Sequence, residues 1–396
     1  MSTPYTFRAT AVLMLAHVAG MIDLVALPLW VGALVQQYGL DFEHAGLTVT
    51  LFLAGAVGAC LTFAPRFDRL PRRACAVGGY TLAAIGLWMV AQTRSWPALL
   101  ALHLVAGVGT GCALSMAHGA MGRGSNPHRL FALAGTALGV FALAFYAIVP
   151  QIMLVVGAPG LFMVMAGLMV CAALCALRFP VGRGQERAGD SSKQRAAPMP
   201  RQAWLLVGGT ALLALNQSLI FSFLERIGIT RGFGTDHVNG VLAAIGLVNL
   251  IPAALAGILQ KRLPPVQVAI AAAVLQAGLA LTISSSTIFV PYAVAASLYA
   301  FVLIFAHTFV FGLAARIDPS GRTTALTPAM LMVGSAIGPA LAGVVAQRLG
   351  FSGIGLAASV VAAACVVCFA LLGRSVASGV KENKGLAPVP PHTATD

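Results

Sequence analysis

Twelve apolar runs, set apart by short polar or Gly/Pro-rich breaks, constrain this chain more than any other feature of its sequence. They lie near residues 9–36, 45–65, 75–93, 97–120, 131–156 and 160–180, and again near 203–227, 238–260, 266–287, 290–314, 323–348 and 352–374. A helix of about 20 apolar residues crosses the hydrocarbon core of a bilayer, so runs of this kind can each span one. With 59% hydrophobic and 9% charged residues and a mean hydropathy of +0.90, the 396-residue chain has too little charge to cover a water-facing surface. The expected fold is an all-α polytopic membrane protein, with twelve transmembrane helices as two pseudo-symmetric six-helix bundles. The first run is too long for a signal-peptide core and no small-residue cleavage site follows it, so it counts as the first span.

The runs divide six and six around VGRGQERAGDSSKQRAAPMPRQ, residues 181–202, which is polar, poor in aromatics and reads as a flexible cytoplasmic linker. Residues 1–180 then form an N-terminal six-helix bundle and 203–375 a C-terminal one, followed by a disordered, Pro-rich cytoplasmic tail over 376–396. If the N-terminus is inside, all but four of the 24 Lys and Arg residues fall on the cytoplasmic side; the exceptions are Arg94, Arg226, Arg231 and Arg348. That asymmetry puts both termini inside an inner (plasma) membrane. It also accounts for the net charge of +13 without a nucleic-acid partner. Membrane lipid is the expected surround and a monomer the expected state. The halves echo each other: RLP recurs at 69–71 and 262–264, and the pair Gly135 and Gly139 recurs as Gly334 and Gly338. Offsets this close imply a duplicated unit that maps residue 23 to about 216–222.

Asp23 interrupts the first run near its middle, where a carboxylate costs roughly 2.5 to 3.5 kcal/mol on insertion scales. Facing a watery cavity would offset that cost. On a continuous helix its face carries Gly20, Leu27 and Trp30, so Asp23 and the Trp30 indole are expected to receive a neutral, aromatic or cationic small molecule, with a proton competing for the carboxylate. His103 in the fourth run is read either as a packing residue or as a proton carrier. In the seventh run Asn216, Gln217, Ser218, Ser222 and Glu225 form a polar stripe, and Glu225 either snorkels or pairs with Arg226. Asn249 and His307 are further candidates for the cavity wall. The Gly107, Gly109, Gly111 pattern follows no strand and reads as close helix packing. Cys60, Cys112, Cys171, Cys175, Cys365 and Cys368 lie in apolar runs, Cys75 begins one, and all read as inert thiols, with no metal site and no cofactor.

Three stretches carry a family resemblance. APRFDRLPRR (64–73) resembles a GxxxDRxGRR loop at Asp68, Arg69, Arg72 and Arg73; HLVAGVG (103–109) resembles RxxxGxG at Gly107 and Gly109; GSAIGPALAG (334–343) resembles GxxxGPxxGG at Gly334, Gly338, Pro339 and Gly343. With the twelve runs, these resemble the major facilitator superfamily, and within it the antiporters that exchange drugs or small molecules for protons, up to about residue 375. The resemblance implies alternating access between two rocking bundles, with Asp68 and its arginines as a cytoplasmic latch. Ala64 and Pro71 replace the loop glycines, His103 stands where the arginine would, and Val140 replaces the span-5 proline. The last change removes the strongest sequence argument for export, so efflux is favoured over uptake only slightly.

No GxxxxGK[ST] occurs, which excludes ATP as the direct energy source. An intramembrane enzyme would need paired aspartates or a Ser/His dyad at depth, and a channel would need repeated pore loops; neither pattern is present. The expected function is secondary active transport of a small organic molecule coupled to protons.

Overall fold

A computed structural model describes residues 5–180, 199–318 and 322–385, and these are helical with no strand among them. Most of the expected linker (181–198) and the last part of the expected tail (386–396) lie outside the described residues. The first half comprises α1 (Phe7–Gly20), α2 (Ile22–Gln36), α3 (Phe42–Phe63), α4 (Arg72–Gln92), α5 (Trp96–Gly122), α6 (Pro127–Val156) and α7 (Pro159–Ala176). The second comprises α8 (Arg201–Phe221), α9 (Leu224–Thr230), α10 (Thr235–Val248), α11 (Pro252–Leu259), α12 (Pro265–Ser285), α13 (Phe289–Ile317) and α14 (Arg322–Gly385). Helix starts follow side-chain chemistry: Asp41 Oδ1 accepts from the His44 amide at 2.8 Å, and Asn126 Oδ1 accepts from the Arg129 amide at 3.0 Å. Gly350, at φ 70° and ψ −178°, splits α14, a conformation that needs glycine.

Ten helical segments among the described residues are long and apolar enough to cross a membrane. The segment Ala329–Val376 contains the Gly350 break, and α10 with α11 forms an interrupted pair that is not among the ten. Counting the two limbs at Gly350 separately, and the interrupted pair as one, reaches the expected twelve. Three expected runs are therefore not continuous: the first breaks at Met21, the seventh at Ser222–Phe223 and the eighth at 249–251. The last helix runs on to Gly385, past the expected bundle boundary at 375.

The start of α1, the 64–71 turn and the end of α5 share one side, here called proximal, where the Tyr5 hydroxyl donates to the Ala120 carbonyl at 3.1 Å. On the opposite, distal side the Tyr38 hydroxyl donates to the Val90 carbonyl at 3.1 Å, and Gln37 Oε1 accepts from the Ala158 amide. Inside the first half, small residues let backbones touch. A Cβ at Gly107 or Gly111 would overlap the α3 carbonyls of Phe52 and Ala56, and one at Gly109 would overlap the α4 carbonyl of Gly79. In the second half Gly334 and Gly338 abut Ala211 and Ser218 of α8 in the same way.

The halves meet along a seam in the middle and distal layers. Gly46 lies against the Pro339 carbonyl and Gly343 against the Phe42 carbonyl. The Ala340 amide donates to Thr50 Oγ1 at 3.0 Å, and the Phe42 amide donates to Gln347 Oε1 at 3.3 Å. The Phe42 ring rests on Phe351 and Phe223, with centroids 5.2 and 5.9 Å away. Gly246 of α10 packs on Leu143 of α6, and α2 packs on α9. The distal side of this conformation is thus closed.

Candidate functional site

The site begins with two helix breaks. Met21, at φ −111° and ψ 22°, ends α1 and starts α2, while Ser222 ends α8 and Phe223, at φ −109° and ψ 4°, starts α9. Asp23 and Glu225 stand two residues beyond their breaks, in the first turns of α2 and α9. The structural counterpart of Asp23 is therefore Glu225, not the 216–222 stretch that the sequence offsets indicated. A carboxylate suits this position because a helix start presents unpaired amides and the positive end of its dipole. Glu43 and Asp236 also stand in first turns, of α3 and α10, but of the acidic residues in the described chain Asp23 and Glu225 alone follow a break within an apolar run.

Their surroundings differ. Asp23 is partly buried, and in the same bundle the Cys60 thiol of α3 and the Ser115 hydroxyl of α5 both donate to the Gly111 carbonyl, at 3.4 and 2.8 Å. Glu225 reaches across the seam to Gly32 of α2, and its Oε2 is buried with no hydrogen-bond partner. Among the described residues neither carboxylate forms an ion pair, so the expected Glu225–Arg226 pair is not made.

Several expected cavity residues make hydrogen bonds within a bundle, although Asn216 Nδ2 and Gln217 Nε2 are buried with no partner among the described residues. Trp30 is fully buried against Phe52 and Phe162, and its Nε1–H donates to His103 Nε2 at 3.0 Å. Asp23 and Trp30 both belong to α2, beyond the Met21 break, but the Trp30 ring is enclosed by Phe52, His103 and Phe162 of its own bundle. His103 Nδ1 lies 2.7 Å from the Leu99 carbonyl. A carbonyl only accepts and an indole N–H only donates, which fixes His103 as the neutral Nδ1–H tautomer with both nitrogens occupied. In the second half Tyr299 donates to the Asn216 carbonyl at 2.9 Å, Gln276 donates to Gln217 at 3.2 Å, and Ser218 donates to the Ser335 carbonyl at 2.7 Å. Ser222 is buried and donates to the Leu219 carbonyl at 3.3 Å. Asn249 sits at the α10–α11 break with a buried, unpaired Oδ1. His307 is half-buried on α13, its Nδ1 3.1 Å from the Leu303 carbonyl. A groove of about 550 Å³ between α10 and α13, lined by Asp236, His237 and Phe289 among others, includes none of these residues.

At the proximal edge, Asp68 accepts from Arg72 Nη2 at 3.2 Å and also pairs with Arg123 of α5. The two guanidinium groups cover opposite contacts of the buried Phe67 ring, at 4.4 and 4.3 Å from its centroid. Arg69 and Arg73 are exposed. Sequence reasoning missed Arg123, and it missed one further cluster. His17 Nδ1 and His118 Nε2 lie 3.0 Å apart, joining α1 to α5 below Asp23. The only sequence signal for it was His17 as an interruption of an apolar run.

Comparison with known proteins agrees with this architecture. Among curated proteins none matches the sequence significantly. A variant of the nucleoside transporter NupG superposes with a TM-score of 0.75 at 13% identity, covering 92% of this chain and 99% of its own. A bacterial homolog of the human lysosomal transporter Spinster, in an inward-facing and occupied conformation, gives 0.70 at 13% identity over 93% and 96%. A POT family transporter in complex with a thioalcohol-conjugated peptide gives 0.71 at 14% identity over 92% and 95%. At such identities these neighbours show the fold. The family profile of the Major Facilitator Superfamily matches residues 12–325, and with that match over most of its length the chain belongs to the Major Facilitator Superfamily of transporters.

Proposed function

We propose that this transporter couples the movement of a small neutral, aromatic or cationic organic molecule to protons, and that it exports the molecule from the cytoplasm. The observation that carries the reading is the matched pair of broken helices, each with a carboxylate at the start of its second segment that makes no ion pair among the described residues. Asp23 is the central site. Its charge is offset either by a proton or by the solute, two states that alternate through the cycle. Glu225 belongs to the distal closure, where it fills the space over Gly32. A charge buried there without a partner is costly, so protonation of Glu225 favours this closed seam. Asp68 acts as the proximal latch. Its partners here, Arg72 and Arg123, belong to its own bundle, as a released latch requires. Export rests on the resemblance of GSAIGPALAG to an antiporter motif. Both termini are placed in the cytoplasm by the distribution of Lys and Arg.

The test is transport by purified full-length protein in proteoliposomes under an imposed pH gradient, with the solute first found by a thermal-shift screen. Accumulation on the acidic side marks exchange for protons, and hence export; accumulation on the alkaline side marks cotransport and uptake. Uphill movement that ignores the gradient defeats proton coupling. Purely dissipative flux indicates a channel, and chemical change of the solute an enzyme.

A further inference from the structure

His17 of α1 and His118 of α5 face each other inside the first bundle. Their Nδ1 and Nε2 atoms are 3.0 Å apart and the ring centroids 5.2 Å apart. His17 is buried at 7% exposure, His118 is half-buried, and the His118 ring meets the edge of Phe131 at 5.6 Å. At this separation one nitrogen must donate and the other accept, so exactly one hydrogen occupies the bridge. The outer nitrogens, Nε2 of His17 and Nδ1 of His118, have no hydrogen-bond partner among the described residues.

Among the described residues no neighbouring element supplies a charge that would fix this pair in one protonation state. α4 brings Tyr80, whose hydroxyl donates to the Ala16 carbonyl at 2.5 Å. α5 brings Ser115, bonded to the Gly111 carbonyl, and Arg123, engaged by Asp68. α6 brings Phe131 and, at its exposed start, Arg129; α7 has no charged residue; Arg8 begins α1 and is exposed; Asp23 is the nearest carboxylate along the chain. Neither imidazole forms an ion pair among the described residues.

We propose that His17 and His118 form a one-proton station on the proximal side of Asp23, through which protons pass between that carboxylate and the proximal solution. This rests on the proton-coupled reading above. A proton bound at the outer nitrogen of His17 lets the bridging hydrogen cross to His118, whose outer N–H then leaves. One N–H bond forms and one breaks at each ring, and one proton enters for each that departs. The reverse passage restores the first arrangement. Because two imidazolium rings cannot share a 3.0 Å contact without strong repulsion, the pair stores one proton and not two.

The experiment is a proton-uptake titration of the full chain in lipid nanodiscs, compared with the His17→Gln/His118→Gln double variant and followed on ¹⁵N-histidine protein by NMR. The double variant is expected to bind one proton fewer per chain, and in the wild type both rings should shift in one shared step. Loss of two protons, or two separate steps, would show independent histidines; loss of none would show a pair that never takes a proton. Either overturns the station. Since glutamine keeps a hydrogen-bonding side chain at each position, each single variant serves as a check: its surviving histidine should titrate at a pH different from the shared step, and an unchanged midpoint also overturns the proposal. The titration needs neither solute nor gradient. A one-proton pair in a protein that ignores pH gradients therefore upholds the station while refuting the coupling, and a coupled transporter with two independent rings does the reverse.

Discussion

Met21 and Phe223 carry almost the same backbone angles, and each hands its helix to a carboxylate two residues on. In the first half that carboxylate, Asp23, is partly buried and makes no ion pair among the described residues. In the second half Glu225 leaves its bundle and lies on Gly32 of the other. One duplicated backbone feature thus serves two roles. Where the following side chain remains inside the bundle, its protonation state can change without moving the halves. Where it crosses the seam, its state and the closure of the distal side are coupled.

The comparison breaks most directly at Asp23. Asp23→Asn keeps size and hydrogen bonding while removing titration, and is expected to abolish gradient-driven accumulation in proteoliposomes while leaving detergent-extracted yield and thermal stability unchanged. Wild-type accumulation by this variant would move the coupling proton to another group. The next effect belongs to the seam. Gly32→Leu places a side chain where the Glu225 carboxyl lies, and overpacking of this kind costs about 1–3 kcal/mol. The distal-closed population should fall by roughly 5- to 150-fold relative to the open one, read as faster maleimide labelling of a Thr50→Cys reporter at the half-buried seam. Unchanged labelling would show that Glu225 has no part in the closure.

Smaller effects sharpen the contrast between the distal seam and the proximal edge. Asp68→Asn removes the charge that joins Arg72 to Arg123. Turnover should drop roughly tenfold while equilibrium binding of the screened solute stays the same, because a latch acts on the balance of states; parallel loss of both would reduce the motif to an anchor. The smallest effect concerns Asp41, outside the membrane span, which caps α3 where it enters the seam. Burial pushes its carboxyl up, but the His44 amide and imidazole outweigh that and hold it below the usual carboxylate range. A lowered folded value means that the stabilisation is present above that range and disappears as pH falls through the lowered value. Asp41→Ala should cost about 0.5–2 kcal/mol near neutral pH and nothing in strong acid, measured as the melting-temperature difference from wild type across a pH series.

Much of the architecture was legible because hydropathy accumulates over a whole span: the runs, the small-residue contacts of Gly107 and Gly109, and Asp23 as the costly interruption all follow from composition at depth. The breaks were not. Met21, Ser222 and Phe223 are ordinary helix residues, with no proline or glycine at the break itself, and tertiary packing overrides local preference there. That hid the correspondence of Asp23 with Glu225 and the separation of Gly20 from the helix that carries Asp23. Periodicity says which residues share a helix side, but not which neighbour that side meets. Asn216, Gln217 and Ser218 were visible as polar groups at depth, while Tyr299, Gln276 and Ser335, which hydrogen-bond to them, lie in distant runs. The His17–His118 contact, 101 residues apart in the chain, was hidden for the same reason.

The glycines of α5 have a mechanical consequence. Gly107 and Gly111 against α3, and Gly109 against α4, leave no layer of side chains between three helix backbones. Packed helices slide by exchanging rotamers at their contact, and here there are none to exchange. These three helices behave as a single stiff lever, and the rocking motion has to be taken up at the seam. Spectroscopic distances between labels on α3, α4 and α5 will then stay constant through the cycle, and a label on any one of them reports the rotation of all three.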